Sequence, residues 1–402
     1  MATSTEAVLA RPAERRDAPA ALAFEPFQLP PSNQRYLGAP HPPGTVTPLS
    51  LRAFSSAGDA IHLNSVIDTI QSLQARDKVL TKQLACHGAI LFRGLPIHSA
   101  SDFSKFVHAF GYRPHEIIGI VLHRPELAPN VAPANESPKE TLIYNHNESP
   151  QVPHAPEYIF FYAHKAAPNG TGGETPISSS LELFEIARQR MPEFISELAE
   201  KGILSRIIYR TKAQYNGGST LREAFGKTVQ DGDDEATRRA KMEAQIARYG
   251  RGKHTTWEWS KDSDGDDILT VEHHLPVLRR QHGTGLPTLF TGLAAYYKNA
   301  LVNNLTNVAR AKTTQQLYGD GTLIPEKYLK GLADITDEIR VLHQWESGDV
   351  LVFDNTIAQH GREPWRGEQG DRVIMASLFD GENVPGAYND EDWAQIVQAL
   401  DG

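Results

Sequence analysis

Four short apolar runs decide what this chain can become: GAILFRGLPI, EYIFFYAHKA, GDVLVFDN and DRVIMASLF. Each is rich in β-branched and aromatic residues and closes on turn-forming residues, the mark of a buried strand. Two stand early and two late, with a long mixed segment between them. In that segment SSSLELFEIARQRMPEFISELAEKG reads as helical, capped by serines before it and Gly202 after it, with Pro192 opening a second helix. Residues 205–290 mix strands with a charged helix near 234–248. PVLRRQHGTGLPTLF reads as a hairpin about a Gly283–Gly285 turn, and helices are expected near 292–303 and 325–338. This pattern suits a mainly β chain, an antiparallel sandwich or barrel with inserted helices. A doubly wound α/β fold would need regular strand–helix alternation and a glycine-rich phosphate loop, and neither is evident.

Residues 1–48 are rich in Pro and Ala without periodicity and are expected to form a disordered or wrapping tail. Residues 49–402 are expected to form one domain, with a helical or lid insert at about 180–340. The spacing of Ile67, Ile70, Leu73, Val79 and Leu84 predicts a helix over 64–84. A helix over SDFSKFVHAFGY sets Phe103, Phe106 and Phe110 on one face, and an amphipathic helix is expected through DEDWAQIVQAL. Between Arg113 and Pro156 runs an irregular stretch with eight prolines. A loop of that length inside a compact domain is usually functional.

The formal net charge of −9 argues against a nucleic-acid partner, since phosphate binding needs a basic surface. No stretch reaches the ~20 apolar residues that span a bilayer, and no secretory leader pattern is present. The N-terminal ATSTEAVLARPAERR faintly resembles a transit peptide, but Glu6 and Glu14 favour a plain tail. The single cysteine, Cys86, excludes an internal disulfide and a multi-cysteine zinc site and fits a cytoplasmic setting; it is expected to be a buried small hydrophobe. The remaining metal-ligand types are His, Asp and Glu.

His146-Asn147-Glu148 is the chain's one His-x-Asp/Glu. In extended backbone, residues i and i+2 point the same way, so this imidazole and carboxylate can reach one ion together. Two histidines and one carboxylate form the facial triad of non-haem Fe(II) oxygenases, which leaves metal positions open for 2-oxoglutarate and dioxygen. The segment VFDNTIAQHGREPWRGEQGDRVIMASLF offers the third ligand. A strand is expected to end near Asp354, a loop to carry His360, and a new strand to start near Arg372. An Arg guanidinium is the preferred bidentate partner for the distal carboxylate of a 2-oxoacid. Thr175, past the Gly172-Gly173 turn, offers a hydroxyl to the same group.

The ordered set GAILFRGLPI, HNES, GGETPI, WEW, GDG, GDVLVFDN and HGREPW…DRV, across roughly residues 85–380, resembles the TauD/TfdA family of Fe(II)/2-oxoglutarate dioxygenases. Within that family it looks most like the clavaminate synthase-like and SyrP-like branch. The resemblance implies a double-stranded β-helix (a cupin-like jelly roll) with iron at its open end. It assigns the iron to His146, Glu148 and His360, and 2-oxoglutarate to Thr175 and Arg372. Relatives that halogenate lack the carboxylate ligand, so Glu148 points away from halogenation. The implied reaction oxidises an unactivated C–H bond of a small polar substrate, an amino acid or a derivative, and releases succinate and carbon dioxide. Hydroxylation is the first expectation; desaturation or oxidative cyclisation are the alternatives.

Other readings of these residues stay open at this point. Arg362 and Arg366 flank the same loop as Arg372, and Arg362 is expected to hold the HGREP loop in place. His154, His164, His273, His274 and His343 are tempting as extra ligands, but most of them are expected to be satisfied structural residues, with His273 and His274 on opposite faces of a strand. Asp354 and Asn355 are expected to support the loop or its turn. Trp257 and Trp259 are expected in the core. Arg206, Arg210 and Arg222 are candidates for holding a substrate carboxylate. A jelly-roll protein that binds without oxidising, and a hydrolase using zinc on the same three ligands, are the competing classes. No membrane partner is expected, and the sequence sets no oligomeric state.

Overall fold

The computed structural model describes residues 22–381, apart from 57, 121–123, 135–136, 214–219, 282–283 and 303–312. The helix expected through DEDWAQIVQAL and the Gly283 side of the hairpin turn lie outside the described residues.

Two sheets face each other to form a mainly β, jelly-roll core. The strands that matter are β1 (Leu22–Pro26), β2 (Leu49–Ser55), β3 (Ala89–Arg93), β4 (Ile143–His146), β5 (Tyr158–Lys165), β6 (Thr175–Ser179), β7 (Ile203–Arg210), β8 (Thr255–Lys261), β9 (Asp267–Leu275), β10 (Thr314–Tyr318), β11 (Val341–His343), β12 (Val350–Asp354), β13 (Ala358–Arg362) and β14 (Val373–Asp380). The larger sheet runs β1-β2-β3-β12-β5-β14, with the short strands Arg113–Pro114 and Ala132–Pro133 both pairing with β14. The smaller runs β11-β6-β13-β4. All pairings in the two sheets are antiparallel except β2–β3. The four apolar runs of the sequence are thus β3, β5, β12 and β14, side by side in one sheet.

Alternation explains why those runs are continuously apolar. On β3 and β12, Ile90, Phe92, Val350 and Val352 pack outward with the helices Leu63–Ala75, Val79–His87 and Ala100–His108. Ala89, Leu91, Leu351 and Phe353 turn inward and meet Ile177, Val341 and Ala358 of the smaller sheet. With both faces covered, polar side chains are confined to the strand ends, Arg93 and Asp354. Full burial of each Phe or Leu contributes on the order of 2 kcal/mol. Buried Asp349, just before β12, accepts two bonds from Arg93 of β3, at 2.8 Å each, and locks these strands together.

The helix predicted over 64–84 is two helices. Asp77 and Lys78 take positive φ (61° and 51°) and turn the chain, which lets Val66, Ile70 and Leu73 share one core with Val79, Leu80 and Leu84. Pro192 does open its own helix, Pro192–Lys201, directly after Ser180–Arg190. These two helices, with Leu293–Val302 and Glu326–Ile339, form a second core with Tyr144 of β4. A third sheet, β8-β9-β7-β10, packs with the helices Leu221–Phe225 and Glu235–Tyr249. Residues 22–48 lie along the molecule, with β1 paired to β2. Cys86 is half-buried rather than fully enclosed. Among the described residues no helix is long and apolar enough to cross a membrane.

Trp257 is not in the core. It lies on edge strand β8 and is 36% exposed. Trp259, two residues on, is part-buried, donates from Nε1 to Glu243 at 2.7 Å and lies under the Arg239 guanidinium. An edge strand with one solvated face needs no burial of both rings.

Candidate active site

His360 sits on strand β13, not in a loop as the sequence reading expected. Ala-Gln-His-Gly-Arg does not look like a buried strand, yet all five residues are buried between β6 and β4. Tertiary partners make this possible. The Gln359 amide donates to Asn147 Oδ1 and to the Thr291 carbonyl, both at 3.2 Å. Gly361 lets the backbones approach, because a Cβ there would run into the Ile143 carbonyl oxygen.

The ladder puts the two histidines together. His360 is the register partner of His146, so their side chains leave the sheet on the same face, with ring centroids 4.8 Å apart. Glu148 follows two residues later. Its Oε2 lies 3.4 Å from His360 Nε2 and 4.0 Å from His146 Nε2, and donor atoms of the three residues all lie within 4.8 Å of one another. Adjacent ligands on a first-row metal, with bonds of about 2.1 Å, stand about 3 Å apart, so a small inward movement closes the set on an ion.

The side chains are prepared for that. His146 Nδ1 meets the Tyr144 carbonyl at 2.8 Å, which fixes the tautomer and leaves the Nε2 lone pair facing Glu148. The His360 ring packs against Phe161 and Phe353, with its Nδ1 buried and without a hydrogen bond among the described residues. Burial acts to raise the Glu148 pKa. The hydrogen bond with His360 and the charges of His146, His360 and Arg124 outweigh it and hold the carboxyl at about 2, so it is an anion at neutral pH.

Asn147, between the two candidate ligands, is wholly buried. Its amide donates to the Asn355 carbonyl (2.7 Å) and Ser180 (3.1 Å), while its oxygen accepts from the Thr291 backbone (2.9 Å). Asn355 in turn accepts from the Glu148 backbone N–H at 2.7 Å and donates to the carbonyls of Glu148 and Pro156. These clamps hold a segment that has no ladder of its own beyond His146. Asn355 was expected to support this region, whereas Asn147 was not among the residues singled out. Nor was Arg124, for which the sequence offers no signal beyond its place in the proline-rich stretch.

Thr175 opens β6 on the same face as Ile177, the residue opposite His360. Its hydroxyl accepts from Trp345 Nε1 at 2.9 Å and lies 3.4 Å from Arg372 Nη2. Arg372 also donates from Nε to the Gly173 carbonyl at 2.7 Å. Gly173 takes φ +81°, and a Cβ there would press on Arg372 Cδ at 3.0 Å. Among the described residues Arg372 forms no ion pair. Burial, and then the neighbouring Arg362, push its pKa down to about 9, still charged at neutral pH. A part-buried guanidinium without a carboxylate is a ready anion site. Arg362 is otherwise occupied, donating to the carbonyls of Ser137, Pro138 and Thr141. Arg366 donates to the Gly170 carbonyl at the surface.

The three insert arginines named as carboxylate holders are each in an ion pair: Arg206 with Glu272, Arg210 with Asp262 and Arg222 with Asp231. His273 and His274 do split between buried and half-buried faces, meeting Thr255 and the Lys201 carbonyl respectively. His164 is exposed. The two exceptions are buried His154, whose Nε2 has no hydrogen bond among the described residues, and buried His343, where both ring nitrogens lack one. Each lies near an aspartate but beyond bonding distance, Asp380 at 3.6 Å and Asp349 at 3.8 Å.

The donor set therefore fits a divalent iron, and the Arg372–Thr175 pair fits the distal carboxylate of 2-oxoglutarate. The family described as taurine catabolism dioxygenase TauD, TfdA family matches residues 55–378. A clavaminate synthase-like protein of Arabidopsis thaliana is 28% identical over 309 residues, 77% of this chain and 86% of that protein. The dapdiamide synthesis protein DdaC of Enterobacter agglomerans is 27% identical over 315 residues, 77% of this chain and 87% of that one. A crystal structure of a taurine dioxygenase from Burkholderia xenovorans is similar at 14% identity and a TM-score of 0.41, covering 87% of this chain and 95% of that one.

Proposed function

The chain belongs to the taurine catabolism dioxygenase TauD, TfdA family, and from that premise we propose that it hydroxylates an unactivated C–H bond of a small polar substrate, an amino acid or amino-acid derivative. It is an Fe(II)- and 2-oxoglutarate-dependent dioxygenase. In our reading His146, Glu148 and His360 hold the iron, and Thr175 and Arg372 hold 2-oxoglutarate. The observation that carries this reading is the convergence of those three side chains to within 4.8 Å.

Bound iron and 2-oxoglutarate supply the oxidising chemistry, in which dioxygen is consumed and 2-oxoglutarate leaves as succinate and carbon dioxide. The residues of the chain orient and exclude. Arg372 and the Thr175 hydroxyl take the distal carboxylate and fix the co-substrate's direction. Trp345, by donating to the same hydroxyl, turns its hydrogen toward that carboxylate. Phe161 and Phe353 keep water from the His360 ring. Glu148, anionic at neutral pH, offsets charge on the metal.

Membership of the family and a relative named for dapdiamide synthesis support a small-molecule substrate of this kind. The test is 2-oxoglutarate-dependent succinate release, with Fe(II) and ascorbate, across a panel of amino acids. A product heavier by one oxygen supports hydroxylation. Loss of two hydrogens would replace it with desaturation or ring closure. No succinate with any candidate would count against the reading.

A further inference from the structure

A second cluster of metal-ligand side chains lies apart from the candidate iron site and shares no residue with it. His115, His154 and Asp380 come from three distant segments and offer donor atoms that all lie within 4.8 Å of one another. His115 follows the short strand Arg113–Pro114, and its backbone N–H donates to the Leu378 carbonyl at 3.0 Å. Asp380 ends β14. His154 sits in the proline-rich loop that also carries Glu148. The three are 9%, 8% and 5% exposed.

The arrangement is only half satisfied by protein groups. His115 Nδ1 and Asp380 Oδ1 share a hydrogen bond of 2.6 Å. His154 Nε2 is buried, has no hydrogen-bond partner among the described residues and stands 3.6 Å from Asp380 Oδ2. A buried polar atom left in this state costs about 1–3 kcal/mol. The His115 and His154 rings lie 4.3 Å apart at 37°, so both imidazoles flank one carboxylate. Burial, and then proximity to His115, lower the His154 pKa to about 4, which leaves a neutral imidazole with a lone pair at neutral pH.

We propose that His115, His154 and Asp380 form a second divalent-cation site, of the zinc class, that staples the loop bearing Glu148 to the end of β14. Two imidazoles, one carboxylate and a water are a tetrahedral donor set that zinc accepts. Tetrahedral ligands at about 2.0 Å stand about 3.3 Å apart, so the His115–Asp380 contact opens slightly as the ion displaces the proton between them. Arg113 Nη2, 3.8 Å from Asp380, is the opposing charge; its side chain is 55% exposed and largely screened by water.

The site is tested without turnover. The full chain carrying His146→Ala and His360→Ala, which dismantles the candidate iron site, is stripped with chelator and titrated with Co(II) alone, read by visible ligand-field absorption and by metal analysis after dialysis. One equivalent of tightly held Co(II), competed off by Zn(II), is expected, falling to none when Asp380→Asn is added. Where that variant fails to fold by circular dichroism, His154→Gln replaces it, since it leaves the His115–Asp380 bond in place. No Co(II) held by the first protein, or one equivalent still held after either added substitution, overturns the proposal.

Discussion

The Trp345 indole donates to the Thr175 hydroxyl across 2.9 Å, so the one hydrogen of that hydroxyl is left to point away from the tryptophan. With Arg372 Nη2 on the other side at 3.4 Å, hydroxyl and guanidinium present donors to the same volume. Arg372→Ala should raise KM for 2-oxoglutarate about 10- to 100-fold, the worth of a charge-assisted pair, with a smaller change in kcat. Steady-state kinetics with 2-oxoglutarate varied reads this directly, and an unchanged KM would move the co-substrate elsewhere.

Replacing His146, Glu148 or His360 by alanine should lower succinate release by at least about a hundredfold, since each loss opens the metal to water and weakens its hold. Iron content measured on the same samples should fall in step. Full activity in any one of the three would remove that residue from the ligand set.

Asn147 is expected to matter without touching iron. Asn147→Ala leaves the Thr291 N–H without an acceptor in a buried place, at about 1–3 kcal/mol, and removes one of the two acceptors of the Gln359 amide. The segment from His146 to Glu148 then loosens, and iron affinity should drop about 10- to 100-fold. A competition titration against a chelator measures it. Equal affinity in variant and parent would show that β4 alone fixes the ligands.

Acid should expose the Arg93–Asp349 clamp. Burial raises the Asp349 pKa, but the bonds from Arg93 and the Glu346 N–H, with the His343 ring close by, win, and the carboxyl is held below its ordinary 3.8. A depressed carboxylate stabilises the fold fully above its unfolded pKa and loses that contribution as pH falls through the folded value. Thermal unfolding of Asp349→Asn should therefore lie well below the parent at neutral pH, and the gap should narrow only below about pH 4. A gap that is constant from pH 7 to pH 3 would contradict the clamp.

How much of this could be read from residues alone differs from place to place, for physical reasons. Strands β3, β5, β12 and β14 were legible because both faces are covered, so composition reports burial. The break between Ser180–Arg190 and Pro192–Lys201 was legible because proline's missing N–H is local chemistry. β13 was not: Gln359, His360 and Arg362 are polar, and only their partners on Asn147, Glu148 and the Ser137–Thr141 carbonyls make a buried strand of them. Nor was the break at Asp77 and Lys78, where nothing but φ tells them from helix formers. Ligand candidates His146 and Glu148 stood out by their spacing, whereas Arg124 acts through space and leaves no pattern.

Gly361 carries no functional group, yet it sets the bite of the chelate. Strands β4 and β13 can run as close as they do only because position 361 is bare, and that spacing fixes how far apart the two imidazoles stand. A methyl there would spread the jaws, and an ion that demands short, regular bonds would feel it before any stability measurement did. Selection among metals would thus be written partly in a residue that never meets one.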